Sequence, residues 1–206
     1  MCNKRKNEFG VELYYGCYSN NFIKENESLV TLYRMLLHYF NSTLINAFYY
    51  KYNSSKLLET ISKNCSRYTG LDINEILRYF SDMCKFDAII LNDDRHLNNI
   101  AFIFDGNSFR FFPIFDNGVL LSAESGILNE NIYYDINRAQ SKPFSISFNE
   151  QLDLFRDFPK IKIDYNGLIN ELDKVSFQYK QEEFEQAKSV LLYRLEQTYL
   201  VAWEGK

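Results

Sequence analysis

The stretch FDAIILNDDRHLNNIAFIFD, residues 86–105, runs from one apolar segment through a polar cluster into a second apolar segment. Upstream of it, Asp72 and Glu75 have the spacing of a capping box, in which two side chains close reciprocal hydrogen bonds at a helix start. Ile76, Leu77, Phe80, Met83 and Phe86 then recur at helical spacing, and 88–91 prolong the apolar run, which predicts a buried helix ending at the Asn92 loop. Downstream, 100–104 and 109–115 flank Asp105-Gly106-Asn107. That pattern predicts a hairpin, because Asp-Gly supplies the positive φ angles of a tight turn. The polar cluster 92–99 therefore lies between a buried helix and a hairpin. Asp116-Asn117-Gly118 follows the second strand, and since a hairpin returns its end to near its start, Asp116 is expected close to Asp94 and Asn99.

Further from this centre the reading is coarser. From Leu29, apolar residues at Leu32, Leu36, Leu37 and Phe40 predict a first helix, and Leu57, Leu58, Ile61 and Cys65 predict a second over 55–68, ending near Gly70. Residues 10–23 read as a short extended stretch and 1–17 as a lead-in without a clear period. Residues 117–145 hold no sustained period and read as a long loop, a kind of segment that tends to be functional. Short helices are expected over 148–157 and 164–174, and a last helix over about 181–203, with Phe184, Ala187, Leu191, Leu195 and Tyr199 on one face. The order predicts one mainly α domain of α+β type across 1–206, a helical bundle carrying one β-hairpin.

Composition narrows the function classes. With 206 residues, 46% hydrophobic and 24% charged, the chain has the make-up of a globular domain, which excludes a disordered tail or a fibre. A formal charge of -4 gives no long-range attraction to phosphate polymers or anionic membranes, so nucleic acid and membrane partners are not expected. No apolar run approaches the length of about 18 residues that a bilayer needs, which, with the polar start, predicts a cytoplasmic protein. Cys2, Cys17, Cys65 and Cys84 stand apart with no metal-ligand spacing and read as reduced thiols. His38 and His96 are too few for an imidazole-based metal site. The aromatic fraction of 17% reads as codon bias rather than as a binding platform.

The polar residues around the hairpin suit phosphoryl transfer, which needs an Asp to take or orient the proton of an attacking hydroxyl, plus an Asn and an Asp that hold Mg²⁺ on the phosphates. In kinase loops the base and the metal-binding Asn are five apart. Both Asp94 with Asn99 and Asp93 with Asn98 meet that spacing. Asp-Arg-His-x-x-Asn at 94–99 is similar to the catalytic loop of the HipA-like kinases and of the phosphatidylinositol-kinase-like superfamily, and that resemblance favours Asp94 and Asn99. FPIFDNG at 112–118 resembles the HipA-like metal-binding segment, SKPFSISFNEQL at 141–152 its Lys-Pro-Phe stretch, and NNFIKENESLVTLYRML at 20–36 its lead-in to the large lobe. The likeness spans about 18–155 and implies a protein-kinase-like C-lobe that uses ATP and Mg²⁺. Asp94 would be the catalytic base, with His96 in the same catalytic loop as a brace, and Asn99 and Asp116 would bind the cofactor metal and nucleotide. Residues 117–143 would be the activation segment, with Ser122 and Ser125 as candidate phosphorylation sites. Arg95 would pair with a loop carboxylate.

Bland alternatives accompany each residue. Asp and Asn in turns are most often solvated, a histidine beside a helix end is most often packed, and Asp93 and Asn98 read as surface or supporting residues. Asp87 reads equally as a loop-bonding group and as an exposed helix carboxylate. The chain carries neither a Gly-rich G-x-G-x-x-G loop nor a Val-Ala-Ile-Lys type strand, so the N-lobe reads as absent. Two functions follow. One is a serine/threonine protein kinase module acting on a protein substrate, with a small lobe supplied in cis or by a protein partner. The other is a non-catalytic C-lobe remnant that binds a partner, as in a toxin-antitoxin-like pair. A lipid kinase is disfavoured because no basic membrane-facing patch is evident.

Overall fold

The computed structural model describes residues 4–6, 12–14, 21–42, 45, 54–117, 142–145, 147–175, 181–196 and 201–204. Its centre is a three-stranded antiparallel sheet in the order β3 (Ser28–Thr31), β4 (Ala101–Phe104), β5 (Phe109–Phe111). The middle strand is covered on both faces, with Ala101, Phe102 and Ile103 fully buried. Phe102 packs into the large helical core, whereas Ala101 and Ile103 meet Phe112, Ile23 and Phe115 on the other side. The hairpin forms where the sequence predicts it. Asp105 Oδ1 accepts from the amides of Asn107 at 2.9 Å and Ser108 at 2.8 Å, and Gly106 takes the left-handed φ of 98° that the turn demands. Its second strand is shorter than expected. Phe112 still donates to the Ala101 carbonyl, but Pro113 has no amide to continue the ladder.

Among the described residues, three helices back this sheet: α1 (Leu32–Leu37), α2 (Ser54–Thr69) and α3 (Ile73–Ile90). The last two match their sequence boundaries closely, because their ends are chemically marked. Gly70 adopts φ 74° just past α2, and the Asp72 carboxylate accepts from the amides of Asn74 at 2.8 Å and Glu75 at 3.3 Å at the start of α3. Among the described residues the Glu75 side chain makes no return bond, so this is a simple cap rather than the expected box.

The first helix differs from its expectation. Leu29, Val30 and Thr31 are strand, paired with Ile103, Phe102 and Ala101, and the helix begins only after Thr31, whose hydroxyl accepts from the Arg34 amide. The buried strand β4 has backbone groups that need partners on both edges, and this demand overrides the helical spacing of Leu29. Phe40 lies past the end of α1.

The C-terminal part also departs from an all-helical reading. After α4 (Phe148–Asp153) comes β6 (Ile161–Asp164), then α5 (Tyr165–Val175), α6 (Gln181–Leu195) and β7 (Val201–Glu204). β6 and β7 pair in parallel, Ile161 opposite Val201, so the last helix stops before Trp203, which instead meets Tyr165 edge-on at 5.1 Å. α4 stops short of 157. In the expected lead-in, β1 (Lys4–Lys6) and β2 (Glu12–Tyr14) form an antiparallel pair. Among the described residues the architecture is therefore mixed α/β with three small sheets, the expected hairpin forming part of one of them. No described helix is long and apolar enough to cross a membrane.

Helix α3 is the spine that these parts share. Its first half packs through Ile76, Phe80 and Met83 into the large core, and its end, through Ala88 and Ile89, into a second core with Phe148, Leu152, Val190 and Val201. Buried Lys85 ties it to the chain after α4, donating to Ser81 Oγ at 2.9 Å and to the carbonyls of Phe158 at 3.1 Å and Pro159 at 2.7 Å. Burial lowers the pKa of this ammonium. Buried Arg194 of α6 donates to the Ala88 carbonyl at 2.9 Å, serving one of the last-turn carbonyls that α3 leaves without an amide. Because the Asp72 cap holds the other end of this spine, Asp72→Ala is expected to cost about 1 kcal/mol, read as a lower urea midpoint with an unchanged slope.

Candidate active site

The last turn of α3 places Asp87 on the helix face that also carries Phe80, Met83 and Cys84, and its side chain is fully buried. A charged group there requires a partner. Leu91 ends the helix in the left-handed region at φ 53°, with the amides of Leu91 and Asn92 both on the Asp87 carbonyl, and the chain turns back over its own end. This reversal brings Asn92 Nδ2 to Asp87 Oδ1 at 3.0 Å and delivers the Arg95 guanidinium to the same carboxylate. Arg95 Nε reaches Asp87 Oδ2 at 2.9 Å and Nη2 reaches Oδ1 at 2.7 Å, a bidentate fork with both side chains at 0% exposure. Burial pushes the Asp87 carboxyl above its ordinary range, while Arg95 and Asn92 pull it back down.

The other three donors of Arg95 leave the helix. Nη1 donates to the Asn99 carbonyl at 3.1 Å and to the Phe115 carbonyl, and Nη2 donates to Asn117 Oδ1 at 2.5 Å. A guanidinium has five N–H groups, and all five are spent. One side chain thus joins the end of α3, the loop 92–99 and the segment after β5. The segment turns sharply between two of these anchors, for Asp116 sits at φ 55°, a left-handed conformation that Asp tolerates better than most residues.

The predicted site residues can now be placed. Asp94 lies at the surface of the loop, its side chain half exposed. Asn99 is 7% exposed, its Nδ2 directed at the Asp94 carbonyl at 3.5 Å and its amide bonded to the His96 carbonyl at 2.8 Å. Asp116 is exposed, and its two neighbours share Arg95 with Asn99, so the hairpin does return it to the loop. Asn98 points elsewhere, accepting from Thr31 Oγ1 at 3.5 Å. Asn99 thus meets the backbone of Asp94, whereas Asn98 meets Thr31. His96 is partly buried, and its Nδ1 has no hydrogen-bond partner among the described residues; its backbone carbonyl rather than its ring braces the loop. Arg95 pairs with a helix carboxylate instead of a loop one. Apart from Asn117, Lys142 and Pro143, the expected activation segment, with Ser122 and Ser125, lies outside the described residues.

Of the two readings of Asp87 the loop-bonding one holds, since its carboxylate meets Asn92 and Arg95, and its signal is its place in the Phe80, Met83, Cys84 stripe. One participant escapes a sequence-only reading. Lys142, whose Nζ lies 3.3 Å from Asp94 Oδ1, stands 48 positions away in sequence and carries no local signal. The buried cysteines take no part, since burial pushes both thiols, Cys65 and Cys84, far from ionisation.

No protein-family model matches the sequence, and no curated protein matches it. Among solved structures, the crystal structure of a Helicobacter pylori proinflammatory kinase, CtkA, superposes with a TM-score of 0.58 at 20% identity, over 87% of this chain and 68% of that one. The fold is kinase-like. At this identity the likeness concerns architecture. Within this kinase-like fold the Arg95 clasp is the feature on which site geometry rests. Asp87→Ala would leave a buried guanidinium without its counter-charge and is expected to cost about 3–5 kcal/mol in chemical denaturation. A change under about 1 kcal/mol, the range of exposed pairs, would contradict a fully desolvated pair.

Proposed function

We propose that the chain is the catalytic large lobe of a HipA-like kinase that transfers the γ-phosphoryl group of ATP to a serine or threonine hydroxyl of a protein. The observation that carries this reading is the shared guanidinium, which gathers the Asp94–Asn99 loop and the Asp116 turn at one place. A base, an amide oxygen and a carboxylate at that place suit phosphoryl transfer better than hydrolysis by a nucleophilic side chain, for which no Ser-His or Cys-His pair is at hand among the described residues.

In this reading Asp94, open to solvent on one side, receives the acceptor hydroxyl and takes its proton. The hydroxyl oxygen forms a bond to the γ-phosphorus as the bond to the ADP oxygen breaks, and ADP leaves with that electron pair. Asn99 has its Nδ2 engaged, which turns the amide oxygen free for a metal, and the Asp116 carboxylate makes no ion pair among the described residues. These two oxygens suit Mg²⁺, which takes one or two protein ligands and fills its other positions with phosphate and water; no cluster of three or more acidic, His or Cys ligands occurs among the described residues. When bound, Mg²⁺ would neutralise charge on the phosphate oxygens. Residues that cover the phosphates from the small-lobe side would come from a second polypeptide or from chain beyond the residues described.

Thermal melting with Mg²⁺ and ATP tests the reading, since a ligand that binds only the folded state raises its stability. At ten times its Kd, Mg-ATP is expected to raise Tm by about 3–6 °C. Asp116→Asn keeps the left-handed backbone accessible and removes the charge, so it is expected to abolish the part of the shift that needs Mg²⁺. Absence of any shift at millimolar nucleotide would contradict a nucleotide site in this chain and favour a partner-binding remnant.

A further inference from the structure

The charge balance of the site is incomplete without Lys142. Asp94 and Asp116 both face solvent at the candidate site, and a nucleotide triphosphate would bring several more negative charges to it. Arg95 cannot offset them, because all five of its N–H groups are consumed in the interior by Asp87, the Asn99 and Phe115 carbonyls and Asn117. Bringing a phosphoryl group against an ionised base at a few ångströms is repulsive unless a cation lies between them. Among the described residues, the ion pair that reaches Asp94 comes from Lys142 Nζ at 3.3 Å.

That pair is poorly explained as a stabilising device. Its side chains are 45% and 50% exposed, a setting in which ion pairs contribute little. Yet its lysine is firmly held at the backbone. Pro143 and Phe144 are buried directly after it, and the Phe144 amide donates to the Oε1 of buried Gln151 at 3.1 Å. Phe144 also packs against Phe80 of α3 at 5.0 Å, so the stretch that carries Lys142 and the helix that carries Asp87 share one core. A rigidly based ammonium has three donors, of which Asp94 uses one. Among the described residues no other acceptor meets this ammonium, which leaves two donors for a ligand.

We infer that Lys142 is a phosphoryl-contact residue, holding Asp94 in the resting site and donating to the γ-phosphoryl oxygens of bound ATP. The inference rests on the kinase reading above and adds a contact that reading does not contain. No bond to Lys142 forms or breaks. Its ammonium shields the base from the incoming phosphates, and follows the negative charge spread over the γ-phosphoryl oxygens as the group moves to the acceptor. Lys142 thereby discriminates a triphosphate from a diphosphate, since ADP lacks the oxygens it contacts.

The test is a comparison of Mg-ATP and Mg-ADP affinities by isothermal titration on the full chain, for the native protein, Lys142→Met and Lys142→Arg. The native chain is expected to prefer ATP. Lys142→Met is expected to lose about tenfold in ATP affinity with ADP affinity changed less than twofold, the loss of one charge-assisted contact, and Lys142→Arg to keep the preference. An unchanged ATP to ADP ratio in Lys142→Met, or an equal loss for both nucleotides, would overturn the inference while leaving the kinase reading intact. A native chain that binds neither nucleotide would overturn the kinase reading and this inference with it.

Discussion

A buried carboxylate and a buried guanidinium, Asp87 and Arg95, are the constraint on which the site depends. Neither charge is tolerable in the interior alone, and their mutual attraction alone does not repay desolvation of both. The remaining hydrogen bonds close the account: Asn92 on the carboxylate, and Asn99, Phe115 and Asn117 on the guanidinium. Every one of those extra partners belongs to the candidate catalytic loop or to the turn around Asp116. Among the described residues, the groups that satisfy this buried pair are thus those that surround the candidate site.

The two cores explain why Asp87 is where it is. Helix α3 has one flank against the three-stranded sheet and its end against the β6–β7 pair with α6, so the last turn is enclosed from both sides. A left-handed Leu91, fully buried, then reverses the chain at once rather than letting it run into solvent. A non-glycine residue in that conformation costs of order 1 kcal/mol or more and persists where surrounding structure over-determines it. Here the surrounding structure is the network on Asp87.

Much of this was legible in the sequence where the determinants are local. The Asp72 cap, the stripe from Ile76 to Met83 and the Asp105-Gly106 turn all act within a few positions. The conversion of Leu29–Thr31 to strand depends on β4, some seventy residues on, and the β6–β7 pair joins segments about forty residues apart. Four-residue strands such as Val201–Glu204 are too short to show a period against a helical background. Asp87 was readable in principle, since a carboxylate at the spacing of Phe80, Met83 and Cys84 belongs to a buried face and implies a buried cation. Arg95 was adjacent in the motif, but its five-way role is set by three segments meeting in space. Lys142 carries no such signal, because its partner is brought to it by the core beneath Phe144.

The most direct test of the central claim separates assembly of the site from stability of the fold. Replacing the pair by apolar groups of similar volume, Asp87→Leu with Arg95→Met, removes both charges and leaves neither one unpaired, a change that is often neutral for stability. Amide hydrogen exchange should then be followed in segments 94–99 and 112–117, with the β4–β5 hairpin as the internal reference. The account predicts that both segments lose protection together while the hairpin keeps its own. Protection retained in both segments of a folded double variant would show that something other than Arg95 holds the loop to the Asp116 turn.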